Sequence, residues 1–160
     1  RHHLLTSDRV RIWLAQAIDA ARMKHDFALW AYVFMPNHVH MIIRPSCDDY
    51  AISKILRDIK EPVSQSLMAH LRKNTPWELR RLKARQGKRE IHRMWQAGGG
   101  FDRNLMEWNE IEEKINYIEL NPVKRGFEAE STDWIWSSAR ARVGFQEVPL
   151  RVDPVTISAL

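Results

Sequence analysis

Thiols are almost absent from this chain: Cys47 is the single cysteine among 160 residues. One thiol excludes an internal disulfide and any multi-thiolate zinc site, and fits a reducing, cytosolic compartment. Long apolar runs are missing too. No stretch approaches the roughly 18 residues of a membrane span, and the opening residues lack the apolar core of a signal peptide, so a soluble, cytoplasmic protein with no membrane partner is expected. Repeats and low-complexity tracts are absent as well, which excludes solenoids and arrays.

What remains suits one ordinary domain, 1–160, long enough to bury a core. The 25 lysines and arginines exceed the 20 acidic residues by five, which favours a polyanionic partner without specifying one. That excess is concentrated. Residues 70–93 hold nine lysines and arginines against Glu78 and Glu90, a net +7 in 24 residues. With Trp77 inside the segment and Trp95 just beyond it, the mixture fits base stacking combined with phosphate neutralisation along a single strand; its bland reading is a solvated loop.

Thr6 or Ser7 can cap a helix running to about Lys24, because Val10, Trp13, Leu14, Ala17, Ile18 and Ala21 share one face. Residues 27–34 are aromatic and aliphatic, Met35-Pro36-Asn37 interrupts them, and 38–44 alternate, a pattern that predicts a two-stranded hairpin. Asp48 is the expected cap of a second helix carrying Ile52, Ile55, Leu56, Ile59, Val63 and Leu67, with a kink at Pro62. A short strand broken around Gly98-Gly99-Gly100 is expected within 94–105. Asn109 and Glu112 have capping-box spacing ahead of Ile111, Ile115 and Ile118, and Pro122 stops that helix. Residues 123–160 show no clear period and read as a tail packed on the domain. This order predicts an α+β, ferredoxin-like or RRM-like sandwich.

Three residues stand out chemically. His38 and His40 flank Val39 on a predicted strand, so the period of two directs both imidazoles to one face. That spacing fits two ligands of a divalent ion and fits equally two half-exposed strand histidines; a full site needs further ligands. Tyr117 lies on the flank of its helix's buried stripe, with Asn121 one turn along. The geometry permits an amide oxygen to complete an ion site that the phenol approaches, and also permits a packing tyrosine. Lys114, on the same flank, is placed either to hold a phosphate or to solvate the helix.

Tyr32-Val33-Phe34-Met35-Pro36-Asn37-His38-Val39-His40 resembles the hairpin of the REP-associated tyrosine transposases, in which two histidines around a hydrophobic residue form the HUH metal site. Tyr117-Ile118-Glu119-Leu120-Asn121-Pro122-Val123-Lys124 is similar to that family's second motif, which begins with its nucleophilic tyrosine. Trp95-Gln96 and Trp136-Ser137-Ser138 also fit, and the similarity runs from about Leu4 to Arg142.

The resemblance implies a four- to five-stranded antiparallel sheet with flanking helices, Mg²⁺ or Mn²⁺ as cofactor, and hairpin-bearing single-stranded DNA, a repetitive palindromic element, as substrate for a monomer or homodimer. The family's first strand is absent or cut short before Leu4, and Gly98-Gly99-Gly100 stands where a shorter turn is expected. Tyr117 is the expected nucleophile, His38, His40 and Asn121 the expected ligands, and Lys60, Arg80, Arg81, Lys83, Arg85 and Lys114 the expected DNA contacts. Rival readings are a non-catalytic single-strand-binding module, which needs no metal, and a hydrolase that activates water and forms no adduct.

Overall fold

The computed structural model describes residues 3–96 and 102–156. Its centre is the expected hairpin: β1 (Phe27–Met35) runs antiparallel to β2 (His38–Pro45) through a two-residue turn at Pro36 and Asn37. Nearly every β1 side chain is buried, because β1 is covered on both faces; this is why its sequence is a continuous apolar run rather than an alternating one. Helix α1 (Asp8–His25) and helix α2 (Ile52–Asn74) cover one face, where Leu29, Tyr32 and Phe34 meet Leu14, Ile18, Ile55, Ile59 and Val63. Helix α3 (Trp108–Glu119) covers the other, its Ile111, Ile115 and Ile118 lying on Trp30, Ala31, Val33 and Met35. A bulge between Leu29 and Ala31 places Trp30 and Ala31 together on the α3 side.

The α+β class stands, but the sheet is smaller than expected. Among the described residues it comprises two paired strands, extended on the free edge of β1 by residues 136–138 through a single bridge, Val33 to Ser137. Phe34 N–H donates to the Trp136 carbonyl at 2.9 Å and Ser138 N–H to that of Tyr32 at 3.0 Å. Further on, Asp153 N–H donates to the Leu29 carbonyl at 2.8 Å.

Other boundaries move. Ser7 occupies the cap position of α1 without a side-chain cap bond. Ala51, not Asp48, precedes α2, which runs unbroken through the exposed Pro62 and on to Asn74. Its apolar stripe continues to Leu71, so the charge change at His70 marks no structural boundary. Asn109 lies inside α3, whose cap position is Glu107. The rest of the basic segment is a 3-10 stretch, Pro76–Leu82, and a separate hairpin, β3 (Lys83–Gln86) with β4 (Arg89–His92). The strand expected over 94–105 is not formed by its described residues, and the triple glycine lies outside them.

Candidate active site

The register of the hairpin builds half of the site. His38 lies opposite Met35, and His40 opposite Val33. Directly opposed residues of an antiparallel pair share a face, and Met35 and Val33 belong to the cluster under α3. Both imidazoles therefore point to the α3 side, while Val39, Met41 and Ile43 pack into the core under α1 and α2. The two rings stand 4.7 Å apart between centroids, nearly perpendicular.

Helix α3 supplies the other half. Its isoleucine stripe anchors it over β1 and leaves Tyr117 on the flank, 41% exposed, with its ring 6.0 Å from that of His40. The alternatives are poor. Tyr32 is fully buried, its hydroxyl donating to the Leu150 carbonyl at 3.2 Å, and burial pushes its phenol well above the ordinary range. Tyr50 is exposed in the stretch between β2 and α2.

Two lysines approach the Tyr117 ring, Lys114 Nζ at 5.2 Å and Lys124 Nζ at 5.0 Å from the centroid. With Arg103, Glu110 and Glu113 they line an open cleft of about 320 Å³. Arg103 is ion-paired to Glu110. The His40 imidazole is held below its usual range, first by burial and then by the positive charges of Lys114 and Arg125. It therefore favours the neutral form, which has a lone pair for a cation. His38 Nδ1 lies 2.6 Å from Asn37 Oδ1; if the proton is on Nδ1, the lone pair is on Nε2, as when a ligand imidazole is oriented by a neighbour.

Asn121 begins the short helix α4 (Asn121–Lys124) and is 3% exposed, and its Oδ1 is buried with no hydrogen-bond partner. Such an atom is costly unless something satisfies it. No cluster of three His, Cys, Asp or Glu occurs among the described residues. Two imidazoles on one face and an unpartnered buried amide oxygen are donor types that fit a divalent ion.

The remaining cations lie elsewhere. Arg80, Arg81, Lys83 and Arg85 are exposed, on a segment whose Leu79 and Leu82 pack into the core under α1 and α2, away from the α3 face. Lys83 is paired to Glu90 at 2.7 Å. Lys60, on α2, is partly buried, and that burial lowers its ammonium pKa. Trp95 is committed to the fold: its indole N–H donates to the Lys60 carbonyl at 2.9 Å and its ring packs on the core, whereas Trp77 is 65% exposed. Sequence reasoning did not single out Lys124, Arg103 or Arg125. Lys124 had a signal, since it lies within the second motif.

A strand pair thus presents two histidines on the side of a helix that carries an exposed tyrosine. The family described as IS200-like transposase matches residues 1–84, more than half of the sequence, and the chain belongs to it. The matched part contains both histidines and ends before Tyr117. A solved structure of a REP-associated tyrosine transposase bound to a REP hairpin covers 99% of this chain and 82% of its own, at TM-score 0.63 and 21% identity. That likeness is one of fold and agrees with the resemblance carried by the two motifs. No curated protein matches the chain.

Proposed function

We propose that this transposase cuts and rejoins single-stranded, hairpin-bearing DNA through a covalent link to Tyr117. The reading is carried by one observation: the exposed Tyr117 ring lies beside His40 and within about 5 Å of two ammonium groups. The phenolic oxygen forms a bond to phosphorus, the P–O3′ bond breaks, and the phenolic proton ends on the departing 3′-hydroxyl. The DNA 5′-phosphate is then esterified to Tyr117. Because one phosphoester replaces another, an incoming 3′-hydroxyl can reverse the step and join strands without a nucleotide cofactor.

Lys114 and Lys124 would hold the phosphate and offset charge developing on its oxygens, a role that cations fixed before reaction perform without reorganisation. His38, His40 and Asn121 would hold a divalent cation, Mg²⁺ or Mn²⁺, which when bound supplies Lewis-acid polarisation of the phosphate. The exposed Arg80, Arg81, Lys83 and Arg85 would guide DNA outside the reacting centre, with Trp77 available for stacking.

The test is a denaturing gel of the protein with 3′-end-labelled single-stranded oligonucleotide and Mn²⁺. A labelled band migrating with the protein supports the reading. Released fragments without that band would establish hydrolysis instead, and intact DNA retained only under native conditions would establish a binding module.

A further inference from the structure

Glu119 follows Tyr117 by two residues, so the two side chains leave α3 about 200° apart. A carboxyl group so close in sequence to a nucleophile invites assignment as a base, but its surroundings say otherwise. Glu119 is 7% exposed. Its Oε1 accepts the Ser138 hydroxyl at 2.7 Å and Arg142 Nε at 2.9 Å, and Oε2 lies 3.2 Å from the same nitrogen. Each partner is in turn fastened to β1. Ser138 Oγ accepts the Tyr32 N–H at 3.1 Å, and Arg142, on the short helix α5 (Ala139–Arg142), donates to the Trp30 carbonyl at 2.9 Å.

We infer that Glu119, Ser138 and Arg142 form a positioning clamp that sets the rotation of α3 over the sheet and thereby the placement of Tyr117 against His40. The isoleucine stripe fixes which face of α3 is buried, but apolar contacts are not directional and tolerate a few degrees of rotation. Hydrogen bonds and a partly buried ion pair are directional. The clamp grips β1 at residues 30 and 32, beside Val33, whose register partner is His40. One end therefore holds the last turn of the helix that carries the phenol, and the other holds the strand paired to the imidazoles. A rotation of a few degrees moves the tip of a long side chain by about 1 Å, a displacement that can lower the rate of an oriented reaction about 100-fold.

The kinetic half of the test rests on the proposed Tyr117 reaction; the structural half does not. In full-length Glu119→Ala and Ser138→Ala, single-turnover adduct formation at saturating oligonucleotide with Mn²⁺ should slow by about 10- to 100-fold. DNA affinity should stay within about twofold, because the cleft cations are untouched. Glu119→Gln keeps the chain length and an acceptor oxygen and should recover most of the rate. A merely structural role would reduce the fraction of protein that reacts, not the rate of the folded fraction. If Glu119→Ala does not fold, Ser138→Ala, which keeps the ion pair, decides. In parallel, nuclear Overhauser contacts between the Tyr117 and His40 rings, present in the parent protein, should weaken in both alanine variants. Undiminished ring contacts and a parental rate in folded variants would overturn the clamp. Absence of any adduct in the parent would overturn the proposed reaction, leaving the ring contacts to decide the clamp.

Discussion

The ring of Tyr117 meets the ring of His40 edge-on, at 71° between planes and 6.0 Å between centroids, although one is borne by a helix and the other by a strand far earlier in the chain. Two burials bring them together: the α3 isoleucine stripe on β1, and the β1–β2 register that turns His40 to the same side. The predictions concern what that juxtaposition is for.

The first concerns the cation. His38→Ala and His40→Ala should each weaken Mn²⁺ binding by at least about tenfold while preserving the fold, because both rings are only half-buried and belong to neither apolar cluster. Asn121→Ala should do the same at little cost in stability, since its Oδ1 has no protein partner to lose. Titration calorimetry decides; parental Mn²⁺ affinity in all three variants would dismiss this ligand set.

The second concerns the two lysines beside the phenol. Lys124→Ala and Lys114→Ala should each slow single-turnover cleavage by roughly tenfold, less than a buried donor because both side chains are exposed. The double variant should be slower still. An unchanged rate in the double variant would make both lysines solvating residues only.

The third concerns the basic segment. Replacing Arg80, Arg81, Lys83 and Arg85 together by alanine should flatten the slope of log affinity against log salt by about 2 to 3 units, at roughly 0.7 per phosphate contact on single strands. The lower end is favoured because Lys83 is already paired with Glu90. The single-turnover rate should persist, since these residues stand on the part of the chain packed beneath α1 and α2. Fluorescence anisotropy across a salt series is the measurement, and an unaltered slope would route DNA over another surface.

The fourth concerns acid stability. Asp58 joins α2 to the end of α1, with Lys24 Nζ and His25 Nε2 each 2.7 Å from its Oδ2; hydrogen bonds from Lys24 and then His25 hold its carboxyl down at about 2. A carboxyl depressed on folding contributes stability that is present above its unfolded value of about 3.8 and is lost as pH falls through about 2. Asp58→Asn should therefore unfold at lower urea than the parent at pH 7, with the gap closing between pH 4 and pH 2. A gap constant over that range would show that the pair contributes nothing through ionisation.

Much of this is legible in the sequence, and for physical reasons. The α1 and α3 stripes bury one face each, so their periodicity survives in the sequence. In β2 the strand period of two by itself puts His38 and His40 on one face, so the histidine spacing is legible without any burial signal. The β3–β4 hairpin was missed because its strands are four residues long and mostly exposed, which removes the alternation that burial imposes. Its one signal was Gly87, at φ +60°, followed by Lys88 in a two-residue turn. The tail's role was hidden because residues 136–138 bury one tryptophan together with two serines, which gives no apolar alternation. Cap positions shifted because Asp48 and Asn109 had the right chemistry near the right place while packing set the helix starts at other residues.

The central claim is that Tyr117 is the residue that becomes joined to DNA. Incubating the protein with single-stranded oligonucleotide and Mn²⁺, digesting with protease and nuclease, and sequencing the nucleotide-bearing peptide by mass spectrometry tests it most directly. The account predicts a 5′-phosphotyrosyl modification on Tyr117 alone, and no adduct from Tyr117→Phe, which should fold and bind DNA like the parent because it lacks only one exposed hydroxyl. Modification of Tyr50, or an adduct persisting in Tyr117→Phe, would contradict it.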